Sequence, residues 1–149
     1  RNAGLEHVLV IDASGWGQDW EYYMRDNATQ VKAHDSQVVF SVHMYDVFDT
    51  DSKVNNYMTS FQNDNLCLLI GEFADTHGTG KDVAEDAIMN RCEQYDIGYL
   101  GWSWCGNSGD LSALDIVNSW NGSSLTTWGD KLVNGVNGIS ATAVKCTVF

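Results

Sequence analysis

Glu72 is the residue best suited to chemistry. The chain holds five glutamates in 149 residues, and the other four (Glu6, Glu21, Glu85, Glu93) fall in the N-terminal stretch or in helical patterns. Glu72 directly follows the apolar run Leu68-Leu69-Ile70-Gly71. A carboxylate in such a place is costly to bury unless it is paired or hydrogen-bonded. It is therefore either half of a structural ion pair or a nucleophile or acid/base. Three other apolar runs also end in polar or aromatic residues. Val38–Val42 leads into His43-Met44-Tyr45-Asp46, Val8–Ile11 into Asp12 and then Gly15-Trp16-Gly17-Gln18-Asp19-Trp20, and Tyr99–Gly101 into Trp102-Ser103-Trp104. Side chains alternate along a strand, so His43 and Tyr45 share a face and Met44 takes the other. His43 reads either as a satisfied core histidine or as part of a site, and Tyr45 as packing or function. Trp16, Trp20, Trp102 and Trp104 fall on one rim. Aromatic faces beside a carboxylate suit sugar rings, whose C–H faces stack while their hydroxyls hydrogen-bond.

The elements that must position these residues show in the spacing. The four apolar runs begin at residues 8, 38, 68 and 99, a beat of about thirty residues. Each is too short for a helix, and the lack of polar alternation predicts strands buried on both faces. Helical patterns lie between them. Asp51 is placed to cap a helix with a Val54, Tyr57, Met58, Phe61 stripe, and Asp82 one with Val83, Ala87, Ile88 and Cys92. Trp20–Ala33 carries a weaker stripe, and Thr126–Val133 a last short helix stopped at Asn134-Gly135. Strand–helix alternation at this spacing predicts four βα units with parallel strands in one domain, residues 1–149. Two α/β architectures fit, a doubly wound sheet or half of a (β/α)8 barrel. In both, chemistry gathers beyond the carboxyl ends of the strands. No GxGxxG or GxxxxGK[ST] pattern follows the first strand, which counts against a dinucleotide fold.

Composition narrows the partners. Eight Lys+Arg against twenty Asp+Glu give −12, and no basic cluster exists, which argues against nucleic acid or an anionic membrane surface. No run of ~18 apolar residues is present to span a bilayer. Six Trp, six Tyr and five Phe exclude a disordered acidic tail. A metal site would draw on His43, Glu72, Asp75 and His77, but no HExxH or calcium-loop spacing occurs, so neither metal nor cofactor is expected. No GxSxG elbow is present. Cys67, Cys92, Cys105 and Cys146 form no CxxC pair, and buried thiols are expected ahead of a disulfide framework. Asn27-Ala-Thr29 and Asn121-Gly-Ser123 are glycosylation sequons that carry little weight alone. No signal-peptide pattern stands at Arg1, so composition leaves the compartment open.

Ile11-Asp12-Ala13-Ser14-Gly15-Trp16-Gly17-Gln18-Asp19-Trp20, Ser41-Val42-His43-Met44-Tyr45, Leu69-Ile70-Gly71-Glu72-Phe73 and Gly98-Tyr99-Leu100-Gly101-Trp102-Ser103-Trp104 together resemble glycoside hydrolase family 5. Within it they are most similar to the bacterial endo-β-1,4-mannanase branch, which is itself similar to the family's cellulases. Trp128-Gly129 through Ile139 resembles the end of such a catalytic domain. The resemblance covers essentially the whole chain and implies strands five to eight of a (β/α)8 barrel. It implies Glu72 as catalytic nucleophile, His43 and Tyr45 as contacts of nucleophile and substrate, and Trp102 as the floor of the sugar site. Trp16 and Trp104 are expected beside them as substrate-binding residues. The family's acid/base glutamate follows an asparagine on the fourth strand. No segment here corresponds to that strand, and the sequence contains no Asn-Glu pair. The branch pattern carries proline where this chain has Ser14, Ser36 and Cys67. The implied protein is an extracellular retaining hydrolase of β-1,4-linked mannan or glucan, with the acid/base absent from this chain. The alternative is a non-catalytic β-glycan-binding module. A half barrel exposes two sheet edges and an apolar inner face, so a homodimer or a complementing N-terminal half is expected.

Overall fold

Two apolar strands form the centre of the molecule: β2 (Val38–Met44) and β3 (Leu68–Phe73). They pair in parallel with each other and with β1 (Leu9–Asp12) and β4 (Gly98–Gly101), in the order β1-β2-β3-β4. The computed structural model describes residues 1–145 and 147. The helices α1 (Tyr23–His34), α2 (Asp51–Asn63) and α3 (Glu85–Tyr95) connect successive strands, and α4 (Thr127–Asn134) and α5 (Ile139–Thr142) follow β4. None of these helices is long and apolar enough to cross a membrane.

One face of the sheet holds the core. Val38, Phe40, Val42 and Met44 of β2 and Leu68, Ile70 and Phe73 of β3 are buried against Val54, Tyr57, Met58 and Phe61 of α2. Ile88 and Cys92 of α3 and Trp128 and Leu132 of α4 complete this layer. The α2 stripe is the one read from sequence. Its cap is Thr50, one residue before Asp51, whose side chain accepts from the Lys53 N–H at 3.4 Å. Asp51 instead pairs with Arg91 across the α2–α3 contact. α3 begins at Glu85, three residues after Asp82, because Asp82 still bridges to Thr76 in the preceding loop.

The edge strands correct the expectation of burial on both faces. Val10 is 60% and Leu100 56% exposed, because among the described residues β1 and β4 have no further strand beside them and no layer on the side away from the helices. Cys67 is a second correction. It is exposed, since the inward positions on either side belong to Leu66 and Leu68. Cys92 is buried, which pushes its thiol up to about 12 and makes it inert as a nucleophile. Cys67, Cys92 and Cys105 are free thiols; Cys146 lies outside the described residues.

A buried carboxylate ties the first βα unit together. Asp19 is fully buried and accepts the N–H groups of Met24 and Arg25, each at 3.0 Å, at the start of α1. It also accepts the Tyr57 hydroxyl of α2 at 2.8 Å. The residue before α1, Tyr22, makes no side-chain cap, so Asp19 does that work from three positions further back. Burial and the Asp19 charge push the Tyr57 hydroxyl well above the ordinary phenol range and keep it a donor. Asp19→Ala would strand three donors in the interior. We expect a loss of about 3 kcal/mol, read as a lowered midpoint in urea denaturation.

Candidate functional site

The placement of Glu72 turns on one extra residue in β3. Val42 pairs with Ile70, but the next pair is His43 with Glu72, so Gly71 is left over. The same surplus appears against β4, where Ile70 pairs with Tyr99 and Phe73 with Gly101. Strict alternation would put Glu72 on the face of Leu68 and Ile70, in the apolar core. The bulge turns it to the face of His43 and sends Phe73 into the core. Gly71 makes this possible, because a β-carbon there would collide with the Ser41 hydroxyl.

Two side chains then meet one carboxylate oxygen. The Tyr45 hydroxyl donates to Glu72 Oε2 at 2.8 Å, and His43 Nδ1 lies 3.4 Å from the same atom. Burial first, and then the Glu72 carboxylate, push the Tyr45 hydroxyl far above the ordinary phenol range, so it remains a donor. The other His43 nitrogen, Nε2, lies 3.5 Å from Asp12 Oδ1. The His43 backbone N–H donates to the Gly17 carbonyl at 2.7 Å, which closes the loop after β1 over the strand ends. Gly17 has φ +79°, and a β-carbon there would strike the His43 ring. The position needs glycine on both counts.

These groups lie in a cleft of about 750 Å³ lined by Asp12, Trp16, Gln18, Trp20, His43, Tyr45, Glu72, His77, Trp102 and Asn107. Trp16 is 86% exposed. Trp102 is held from behind: its N–H donates to the Phe73 carbonyl at 2.8 Å, and its own carbonyl accepts from Trp128 Nε1 at 3.1 Å. Of the residues read from sequence, Glu72, His43, Tyr45, Trp102 and Trp16 come together here and Trp104 does not. Beyond β4 the chain pairs with the segment 114–117, through Ser103 N–H to the Leu114 carbonyl and Val117 N–H to the Trp104 carbonyl. That turns the Trp104 ring onto Gly122, and its Nε1 donates to the Trp120 carbonyl at 3.1 Å. Asp75 also points elsewhere. Its carboxyl is raised by burial and by the charge of Glu85, and it does not line the cleft. No group of three or more His, Cys, Asp or Glu among the described residues is placed to hold a metal ion.

Sequence reasoning missed Asn107 and Gln18. Asn107 is set by a loop in which its side chain donates to Ser103 Oγ at 2.7 Å and to Asp115 Oδ1 at 2.6 Å. Asp115 also accepts the Gly106 and Asn107 N–H groups. That long-range loop has no periodic signal. Gln18 enters the sequence reading only as a member of the run after the first strand, with no role of its own, and it is buried in that loop.

The model for Cellulase (glycosyl hydrolase family 5) matches residues 1–108 of the chain. The chain belongs to glycosyl hydrolase family 5. It is 54% identical over 151 residues to a mannan endo-1,4-beta-mannosidase of Cellvibrio japonicus (strain Ueda107), covering all of this chain and 35% of that protein. It is 47% identical to one of Streptomyces lividans, covering 39% of it. The solved mannohexaose complex of Thermomonospora fusca beta-mannanase superposes with a TM-score of 0.88 at 46% identity, over 97% of this chain and 47% of that one. The chain thus spans between a third and a half of these relatives, and its four strands are half of a family 5 (β/α)8 barrel. That settles the choice between the two α/β architectures.

The bulge yields a prediction for this family 5 half barrel. Gly71→Ala is expected to cost about 1–3 kcal/mol by overpacking against Ser41. Adding Ser41→Ala should recover most of it, because only the hydroxyl stands in the way. Urea denaturation of the two single variants and the double variant checks this, and simple additivity would contradict it.

Proposed function

We propose that this chain carries the nucleophile side of a retaining endo-β-1,4-mannanase site, with Glu72 as the attacking carboxylate. The observation that carries the reading is the convergence of Tyr45 and His43 on Oε2 of Glu72 at the floor of a tryptophan-lined cleft. The Tyr45 hydrogen bond and the His43 contact on one oxygen hold the carboxylate in place and leave Oε1 to approach an anomeric carbon. Attack forms a covalent bond from Glu72 to that carbon as the bond to the leaving oxygen breaks, and water later releases the sugar. Trp102 and Trp16 offer faces for pyranose rings on either side. The mannanase and mannohexaose descriptions of the relatives support mannan as the polymer. A substrate of that size is met outside the cell, and we place the protein there.

A retaining site needs a second carboxyl about 5–5.5 Å from the nucleophile to protonate the leaving oxygen. The other carboxylate lining the cleft is Asp12, and it stands across the His43 ring from Glu72. We therefore assign the acid/base to a segment outside this chain. The same observation favours the second reading, a β-glycan-binding module. Reducing-sugar release from mannan, set beside retention on insoluble mannan, separates the two: retention without release decides for the module. Where release is found, Glu72→Gln is expected to abolish it while folding and retention persist. Full activity in that variant would refute the nucleophile assignment.

Closure of the barrel follows from the exposed edges. Four further strands beside β1 and β4 would cover Val10 and Leu100, and a second copy about a two-fold axis can supply them. In such a pair each β1 meets the partner's β4, so a tryptophan-bearing segment takes the place where the family has its acid/base strand. The isolated chain is therefore expected to be a dimer with weak or no hydrolysis. A stable, well-folded monomer at micromolar concentration in light scattering would refute closure by self-pairing.

A further inference from the structure

His77 lies in the cleft, and the proposed reaction gives it no part. It follows the end of β3 by four residues, in a turn whose backbone is fixed. Its N–H donates to the Lys81 carbonyl at 2.9 Å, and Thr76 Oγ1 donates to the carbonyls of Gly78 and Lys81 at 2.9 and 3.1 Å. The imidazole is fixed as well. It stacks on the Tyr45 ring with centroids 4.4 Å apart and planes 19° apart. Its Nδ1 is hydrogen-bonded to Asp46 Oδ1, and Lys81 Nζ lies 3.6 Å from Asp46 Oδ2.

This arrangement selects one tautomer. Burial would raise the Asp46 carboxyl, but the hydrogen bond from His77 and the nearby Lys81 charge hold the group low. Asp46 is then an acceptor only, so the proton of a neutral His77 ring must sit on Nδ1. In that neutral ring Nε2 carries a free lone pair, with no partner among the described residues. Asp46 lies outside the cleft lining while His77 lies within it, beside Tyr45 and Glu72. A fixed, unpaired acceptor in a sugar cleft matches a hydroxyl donor.

We propose that His77 is a sugar-binding residue, accepting a hydrogen bond at Nε2 from a pyranose hydroxyl held next to the Tyr45–Glu72 pair. The proposal rests on the glycan reading of the cleft and adds a specificity contact to it. Asp46 is a positioning residue that acts through the ring, and the stack makes His77 a brace for Tyr45 as well.

Nitrogen-15 spectroscopy of the imidazoles and calorimetry with mannohexaose test this on the full chain. In its neutral form His77 should show the Nδ1–H tautomer, and Asp46→Ala should abolish that preference. Mannohexaose should shift the Nε2 resonance. His77→Phe keeps a ring against Tyr45 but has no acceptor, and should weaken mannohexaose about tenfold, the cost of one hydrogen bond left unmade. Wild-type affinity in His77→Phe, with affinity still lost in Trp102→Ala, would overturn the assignment of His77 and leave the glycan reading intact. An Nε2–H tautomer would also overturn it. No binding of mannohexaose by the unaltered chain would overturn both.

Discussion

The surplus residue in β3 governs the rest of the site. A strand that alternated without interruption from Leu68 would drive Glu72 into the layer of Ile70, Val42 and α2, where a carboxylate has no partner. Because Gly71 is left over, Glu72 faces Tyr45 and His43, and Phe73 takes the core position. Phe73 then meets Tyr99 and Trp128 edge to face, at 5.5 and 5.2 Å. Trp128 also holds the Trp102 carbonyl. The bulge therefore places the carboxylate and, through one buried aromatic, the backbone of the cleft-lining tryptophan. Packing on the helical side and chemistry on the open side share a single irregularity.

The loop after β1 imposes the second constraint. His43 can face Glu72 and Asp12 only if the chain crosses above it without a side chain, and Gly17 provides that crossing. The loop is stiffened two residues later by Asp19, whose carboxylate serves α1 and α2 at once. The usual objection to a buried carboxylate is desolvation. Here four donors replace the water, the hydroxyls of Ser14 and Tyr57 and the two N–H groups that a helix start leaves unmet. Trp16 belongs to the same loop and lines the cleft with a largely exposed ring, so packing does little to hold it.

The strands and the α2 and α3 stripes were legible because a thirty-residue spacing and a helical period are local properties of the chain. The convergence of Glu72, His43, Tyr45 and Trp102 was legible because parallel strands end together. Alternation gave the shared face of His43 and Tyr45 correctly, and it would have misplaced Glu72. A bulge is a property of two strands in register and leaves no mark in either alone, apart from a glycine with other uses. Trp104 failed for a related reason: the pairing of residues 103–104 with 114–117 is long-range, and two tryptophans spaced to share a face were separated by it. Asp19 and His77 were visible as residues, but their meaning lay in partners thirty-odd positions away, Tyr57 and Asp46. Edge exposure at Val10 and Leu100 had no local signal either, since an apolar strand reads alike whether its neighbour is in the same chain or another.

Stability and chemistry divide unequally across the sheet. The helical face is complete: β2, β3 and four helices bury their apolar side chains against one another. The opposite face carries Glu72, His43, Asp12 and Ser41 together with exposed Val10 and Leu100. Polar groups at the strand ends and apolar groups below them are what a closed barrel requires, with a filled interior and a wet mouth. The half can thus hold Glu72, Tyr45 and His43 in their places through contacts made entirely within itself. On the proposed reading, the side opposite must supply a wall for the apolar interior and a proton donor for the leaving oxygen. Any four strands with apolar inward side chains can supply the wall. The proton donor demands a particular carboxyl at a particular strand end. Folding and the proposed chemistry therefore have separate requirements, and a partner that satisfies the first need not satisfy the second.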